Sequence, residues 1–339
     1  MRRSFEILSN AKKIAVVRTD KLGDMVLTLP LCLKIKKEFP DTELLLIARK
    51  YVEPLLYGSS AISDCYFIDD FKQGISEIFK QNNLDAAFFP RPRLDEAVAG
   101  FRAKIPLRIG SGYRAYSFFF NHRIYEHRKS SELHEVEHNL NLLTSITNKK
   151  YIPELVKPRI SLQSLENAKV ILGSFGFNIN DKFILVHPGS GGSAYDWSAD
   201  NFGSLSKIIN QKTGIKIVIT GIEQEKEKCG IVEKYCTNSI NLCSKINLSE
   251  LIALISLSKM LIANSTGVLH IAAALDIPVA GFYPNTRHLS QKRWGPYSKK
   301  AIIFNPPKID DKSISDDMSS IHPEDVANEI YLHLSKNFL

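Results

Sequence analysis

An α/β fold of two doubly wound, Rossmann-like domains is predicted for this 339-residue chain, and three observations predict it. Short apolar runs alternate with amphipathic stretches through the first half, the alternation restarts after residue 180, and two strands of the second half run into turns rich in Gly and Ser. Strand–helix alternation implies a parallel sheet covered on both faces. The length is large for one core and fits two domains of ordinary size. They are expected at residues 1–165 and 166–320, with a C-terminal helix over 321–339. Two such domains facing one another leave a deep cleft lined by the carboxyl ends of both sheets, where folds of this kind bind ligands.

The elements follow in order. Ile14 to Val17 reads as a strand, and Asp24 to Phe39 as a helix with Pro30 in its early turn. Glu43 to Ala48 and Ala86 to Phe89 read as strands, Ile75 to Gln81 and Asp95 to Arg102 as helices. A polar, basic section from Tyr113 to Glu137 precedes a helix around His138 to Ser145. The section between Lys149 and Asn180 holds Pro153, Pro158 and a helix from Leu162 to Gly173, which places the domain boundary there. Strands then fall at Phe183 to Val186, Lys216 to Ile219, Met260 to Ala263 and Val279 to Phe282. The helices between them are Ala199 to Asn210, Glu223 to Tyr235, Leu248 to Leu257 and Gly267 to Leu275. Pro323, at a first-turn position, opens the last helix, which runs to about Lys336.

Composition narrows the function. Hydrophobic residues at 44% and charged residues at 24% describe a globular protein, and no apolar stretch reaches the roughly 20 residues of a membrane span. The start, Met1-Arg2-Arg3-Ser4-Phe5-Glu6, lacks the apolar core of a secretion signal. Five cysteines without metal-ligand spacing point to reduced thiols in a cytoplasm. A net charge of +8 suits nucleic acid, an anionic membrane surface or an acidic substrate, as well as solvated lysine-rich helix faces such as Lys34-Ile35-Lys36-Lys37. Zinc-finger spacing and RNA-binding aromatic signatures are missing, so no nucleic-acid partner is expected.

The chemistry concentrates at strand ends. Asn264-Ser265-Thr266-Gly267 follows an apolar strand and opens a helix, a geometry that aims backbone N–H groups and the positive end of the dipole at a phosphate. A second such turn, His187-Pro188-Gly189-Ser190-Gly191-Gly192-Ser193, follows the strand at Phe183. Two anion cradles in one half of the chain suggest a diphosphate and hence a nucleotide-linked substrate. Glu225, just past a strand end, is placed to accept from ribose hydroxyls or to favour a helix start. His270, one turn into its helix, is a donor-site candidate or a packed histidine. Trp197, Trp294 and Tyr297 suit a pocket wall or the core. In the first half, Arg18-Thr19-Asp20-Lys21-Leu22-Gly23-Asp24 links the first strand to the first helix, where Asp24 either caps the helix or points into the cleft as a base. Arg49, Arg91 and Arg93, with Arg102, Arg108 and Arg114, gather in the half without the phosphate turns and suit an anionic acceptor.

Taken in order, these pieces resemble the bacterial ADP-heptose:lipopolysaccharide heptosyltransferases, glycosyltransferase family 9. The resemblance spans nearly the whole length: Arg18 through Pro30 with Gly23-Asp24, Pro106-Leu107-Arg108-Ile109-Gly110, His134 to Leu143, His187-Pro188-Gly189, Trp197, Gly221 with Glu225, Ser265-Thr266-Gly267 with His270, and Arg293-Trp294-Gly295-Pro296. It implies the two-domain GT-B architecture and an inverting single displacement, with Asp24 as the catalytic carboxylate. It places the donor in the second domain: Ser190, Gly191, Gly192, Thr266 and Gly267 on the diphosphate, Glu225 on the ribose, and His270 in the donor site. Arg49, Arg91 and Arg93 are the expected acceptor contacts. No metal and no cofactor are expected, since helix dipoles and hydrogen bonds can stabilise the leaving group. Two positions depart from the family pattern: Ala194-Tyr195-Asp196-Trp197 lacks the lysine that precedes the tryptophan, and Asn264-Ser265 stands where an Asp is common. Lys292 or Arg293 is a candidate to supply the missing charge.

The expected activity is transfer of a heptose from ADP-heptose to a lipopolysaccharide core or related surface-glycan acceptor. The expected place is the cytoplasm, with peripheral contact at the inner membrane. The alternatives are the same fold using another nucleotide sugar, or a catalytically silent homologue that keeps sugar-nucleotide recognition. A dinucleotide oxidoreductase is disfavoured because the first turn lacks the Gly-x-Gly-x-x-Gly fingerprint.

Overall fold

The structure is a computed structural model that describes residues 2–128, 132–178, 181–192, 195–307 and 316–337. It divides into two compact units, Met1–Val156 and Lys157–Leu339.

In the first unit, α1 (Arg2–Ser9), β1 (Lys13–Val17), α2 (Leu22–Val26), α3 (Leu29–Glu38), β2 (Glu43–Ala48), α4 (Glu53–Leu56) and β3 (Asp64–Phe67) are followed by α5 (Ile75–Asn82), β4 (Ala86–Phe88), α6 (Leu94–Arg102), β5 (Leu107–Ser111), β6 (His122–Ile124) and α7 (Glu135–Thr147). The strands form one parallel sheet in the order β3-β2-β1-β4-β5-β6. β1 is central because its residues are apolar on both sides: Val16 pairs with Leu46 of β2 and Phe88 of β4. Strands buried on both faces read as continuous apolar runs. β3, β5 and β6 carry polar or glycine residues and escape that pattern. The stretch from Asp24 to Phe39 is two helices, not the single one expected. Pro30, at the second position of α3, has no N–H to donate to the carbonyl of Val26, and its ring would clash with it. Side chains satisfy the carbonyls at the break, with Thr28 Oγ1 donating to Asp24 O at 2.8 Å and Asn139 Nδ2 to Leu27 O at 2.9 Å.

The second unit holds α8 (Leu162–Ser174), β7 (Phe183–His187), α9 (Ala199–Thr213), β8 (Lys216–Ile219), α10 (Lys226–Tyr235), β9 (Ile240–Asn241), α11 (Leu248–Leu257), β10 (Met260–Asn264), α12 (Gly267–Ala274), β11 (Val279–Phe282), α13 (Gln291–Trp294), β12 (Ala301–Phe304) and α14 (Pro323–Asn337). Its parallel sheet runs β9-β8-β7-β10-β11-β12, the strand order of the first sheet repeated. β7 and β10 are neighbours, with Ala263 opposite His187. Trp197 is wholly buried, stacked on Phe282 at 4.1 Å, and its Nε1 donates to Ile321 O at 2.9 Å. That bond holds the segment leading into α14 against the core, where Val326, Ile330 and Leu334 of α14 continue the cluster. Among the described residues no helix is long and apolar enough to cross a membrane.

Candidate active site

Strand order reverses between β1 and β4 in the first sheet and between β7 and β10 in the second. The crevice at the carboxyl end of such a reversal is where doubly wound sheets bind ligands. Asp24 lies beyond β1, and the two glycine-bearing turns lie beyond β7 and β10, so these candidate residues sit at the reversal point of their unit, while Arg49 follows β2 and Glu225 follows β8, one strand away.

In the first unit Asp24 is the third residue of α2 and is only 6% exposed. It does not cap the helix. The cap position is Lys21, and Asp24 Oδ1 instead accepts from Nη2 of Arg18. Arg18 closes β1 and is itself buried, with Nε donating to Asp20 Oδ1 at 2.6 Å. Asp20 Oδ2 accepts from Arg91 Nη1 at 3.0 Å, and the Tyr51 hydroxyl donates to Asp20 O at 2.6 Å. No hydrogen bond among the described residues uses Asp24 Oδ2. Burial pushes the Asp24 carboxyl above the ordinary carboxylate range; Arg18 opposes the shift, Asp20 and Glu135 add to it, and Arg91 opposes it weakly. Burial, Asp20 and Asp24 raise the Tyr51 phenol to about 12. Glu96, buried on α6, is also raised by burial; it accepts from Thr19 Oγ1 and from Arg93 N, tying the exit of β1 to the start of α6.

The arginines separate. Arg91 belongs to the Asp24 cluster through Asp20. Arg49 pairs with Asp69 at 2.9 Å and Arg93 with Asp95 at 3.3 Å, both with half-exposed side chains at the carboxyl edge of the sheet. Arg108 instead turns to the carbonyls of Phe119 and Ile105.

In the second unit Asn264 joins the two turns. It is fully buried, donates from Nδ2 to Pro188 O at 2.7 Å and Trp197 O at 3.2 Å, and accepts at Oδ1 from Trp197 N at 2.8 Å. Ser190 Oγ beside it is buried and has no hydrogen-bond partner among the described residues. Gly191 and Gly192 have φ of +57° and +72°, a left-handed turn that glycine adopts at little cost. Ser193 lies outside the described residues. Across the reversal point, Thr266 is the N-cap of α12, and the N–H groups of Thr266, Gly267 and Val268 take no partner among the described residues. His270, one turn along α12, is 5% exposed.

Glu225 has a role that its position in the sequence does not reveal. Its Oε1 accepts from Gly191 N and its Oε2 from Ile222 N, each at 3.0 Å, and Oε2 lies 3.5 Å from His187 Nε2. The Gly191 amide therefore serves Glu225, and the carboxylate braces the glycine turn. Burial pushes His187 below the ordinary histidine range, with Glu225 opposing. The close approach of Glu225 requires Gly189: a Cβ there would stand 2.0 Å from the carboxylate. Trp197 is core, not pocket wall, and Trp294 packs under the Arg293 guanidinium at 4.8 Å. Asp196, in the segment without the family lysine, pairs with Lys228 of α10. No group of three or more His, Cys, Asp or Glu side chains among the described residues could hold a metal ion.

Sequence reading passed over Arg18, Glu135 and Asn264 as working parts of these sites. A charged residue just past an apolar strand is the available signal for Arg18; the bonds of Asn264 are not legible in its turn, because its partners lie 67 and 76 positions away.

The model of glycosyltransferase family 9 (heptosyltransferase) matches residues 77–320. A Haemophilus influenzae protein whose name goes no further than glycosyltransferase is 28% identical over 333 residues, covering 91% of this chain and 94% of that one. Lipopolysaccharide heptosyltransferase 2 of Salmonella typhimurium is 24% identical over 294 residues, covering 80% of this chain and 82% of that one. The solved structure of Escherichia coli ADP-heptose lipopolysaccharide heptosyltransferase II superposes with a TM-score of 0.80 at 19% identity, over 96% of this chain and 100% of that one.

Proposed function

From the premise that this chain belongs to glycosyltransferase family 9 and is a glycosyltransferase, we propose that it transfers a heptose from ADP-heptose, with inversion, to a lipopolysaccharide core or related glycolipid acceptor. The observation that carries the reading is the buried Asp24 carboxylate at the reversal point of its sheet, held through one oxygen by Arg18 and with no hydrogen bond among the described residues at the other.

Asp24 Oδ2 takes the proton of an acceptor hydroxyl as that oxygen bonds to the anomeric carbon of the donor. The bond from that carbon to the diphosphate oxygen breaks with its electron pair, so ADP leaves from the opposite side and the configuration inverts. Burial suits Asp24 to this task, because a raised carboxyl is a better base, while the Arg18 guanidinium opposes the shift and favours the ionised form. The leaving diphosphate is received by the α12 N-terminus at Thr266 and Gly267, the Ser190 hydroxyl and the Gly192 amide, which place donors where negative charge develops. Glu225 retains lone pairs for a ribose hydroxyl beyond its two amide bonds, and His270 lies one turn into α12 from Thr266. Arg91, Arg49 and Arg93 offer guanidinium groups to acceptor phosphates or carboxylates in exchange for their present carboxylate partners. The names of the relatives support the donor and the acceptor class. The protein works on the cytoplasmic side and touches the inner membrane peripherally.

The test is Asp24→Asn. Turnover of ADP-heptose with a core acceptor should fall by about 10²–10⁴-fold, the usual worth of a general base, while ADP affinity measured by calorimetry stays within about twofold of wild type. An unchanged rate excludes Asp24 as the base. Transfer from a UDP- or GDP-sugar in place of ADP-heptose overturns the donor assignment alone.

A further inference from the structure

From Ala97 to Tyr125 the chain contains no Asp or Glu in 29 residues, against five Lys and Arg: Arg102, Lys104, Arg108, Arg114 and Arg123. A run of that length with one sign of charge creates a local positive field. The same stretch carries apolar rings into water. Phe118 is 62% exposed and Phe101 is 51% exposed. They belong to one cluster: Phe119 lies 4.3 Å from Phe118 and 5.3 Å from Phe101, ring centre to ring centre.

The fold brings the cations to the rim of that cluster. Arg102 follows Phe101 at the end of α6, and Lys104 N donates to Phe101 O at 3.0 Å. Arg114 O accepts from Ser117 N at 2.9 Å in the turn that presents Phe118. Arg123 Nε donates to Phe120 O at 3.0 Å. Only Arg108 is turned inward, over the Phe101 ring at 5.5 Å. No carboxylate among the described residues pairs with Arg102, Lys104, Arg114 or Arg123. An apolar centre ringed by uncompensated cations fits the interface of an anionic bilayer, where rings enter at headgroup level and cations meet lipid phosphates. A polynucleotide would need a track of cations in place of an apolar centre.

We propose that the Phe101–Phe118 cluster, rimmed by Arg102, Lys104, Arg114 and Arg123, is the surface by which this protein docks on an anionic phospholipid bilayer. The assignment rests on the peripheral membrane contact proposed above and names the face that makes it. α6 opens beside Arg93 and ends at Phe101 and Arg102, so docking at its far end, about 13 Å away along nine residues, leaves the Asp24 crevice uncovered.

The experiment is co-sedimentation of the full chain with vesicles of phosphatidylcholine alone or with about one-third phosphatidylglycerol, an anionic content that gives a surface potential. Wild type should sediment with the anionic vesicles and be released by high salt. Phe118→Ser should weaken partitioning about tenfold, consistent with loss of one buried ring, without changing transfer to a water-soluble acceptor. Arg102→Gln with Arg114→Gln should weaken it about 25-fold, at roughly fivefold per cation. Lys207→Gln with Lys234→Gln, exposed cations of the second unit, should bind as wild type does. Wild type that ignores anionic vesicles overturns both the surface and the membrane contact. Patch variants that bind like wild type, a charge-pair control that loses as much as the patch variants, or a preference for a DNA duplex over the vesicles overturns the surface alone. Unchanged circular dichroism keeps a folding defect from standing in for any of these results.

Discussion

Replacing Asn264 by Asp, an exchange of one atom, should separate the two turns of the second unit. Asn264 is fully buried and makes three bonds, two as a donor to Pro188 O and Trp197 O and one as an acceptor from Trp197 N. An ionised carboxylate keeps the acceptor bond and faces both carbonyls with no proton to give. Each buried carbonyl that loses its donor costs about 1–3 kcal/mol, so the two together cost about 2–6 kcal/mol. Burial and the facing carbonyls raise the introduced carboxyl above its unfolded value of about 3.9. A folded pKa raised above the unfolded one means stability that is present below the unfolded pKa and lost as pH rises through the folded pKa. The deficit against wild type should therefore be smallest below about pH 4, where the protonated carboxyl recovers one donor bond, and grow toward neutrality. Both tryptophans, Trp197 and Trp294, lie in the second unit, so urea unfolding followed by their fluorescence reads that unit alone. ADP affinity should fall with it, by tenfold or more if the Pro188 turn shifts by the equivalent of about 1.4 kcal/mol. A variant within about 0.5 kcal/mol of wild type at pH 7, the range of an ordinary surface substitution, refutes the claim that this amide locks the turns.

Arg18→Met should remove the charge that opposes the burial of Asp24, so the carboxyl titrates higher and the acid limb of kcat/KM moves to higher pH; a limb that stays in place shows that Arg18 does not govern Asp24. The same change breaks a buried pair and should cost about 3–5 kcal/mol in the first unit, read by chemical denaturation. Gly189→Ala should drive a Cβ into the Glu225 carboxylate, 2.0 Å away in the present geometry, and cost about 1–3 kcal/mol with weaker ADP binding; wild-type melting and affinity would show that Glu225 is not fixed there.

Much of the fold was legible because burial on both faces writes itself into the chain as uninterrupted apolar runs. Glu43–Ala48, Lys216–Ile219 and Val279–Phe282 fall where their residue types place them. β3, β6 and β12 escaped because they are short or half-buried, and their polar residues mimic loops. The break between α2 and α3 was readable in principle from Pro30, yet the proline also suited the first turn of one longer helix. Of the candidate site, the two turns beyond β7 and β10 were visible because Gly and Ser cluster at those strand ends.

The order of strand, turn and helix was determined by the chain alone, as was the family signature from Gly23-Asp24 to Ser265-Thr266-Gly267, since local propensity and apolar period need only neighbouring residues. Tertiary structure decided which of those residues meet. Asn264 reaches Pro188 across 76 positions and Glu225 reaches Gly191 across 34, and nothing local in either segment encodes those contacts. Asp24 could be read as a cap from the sequence, and only the fold shows that it leaves the cap position to Lys21 and pairs with the buried Arg18. A side chain's electrostatics depends on what is packed around it, and packing is a property of the closed sheet, not of the segment that carries the residue.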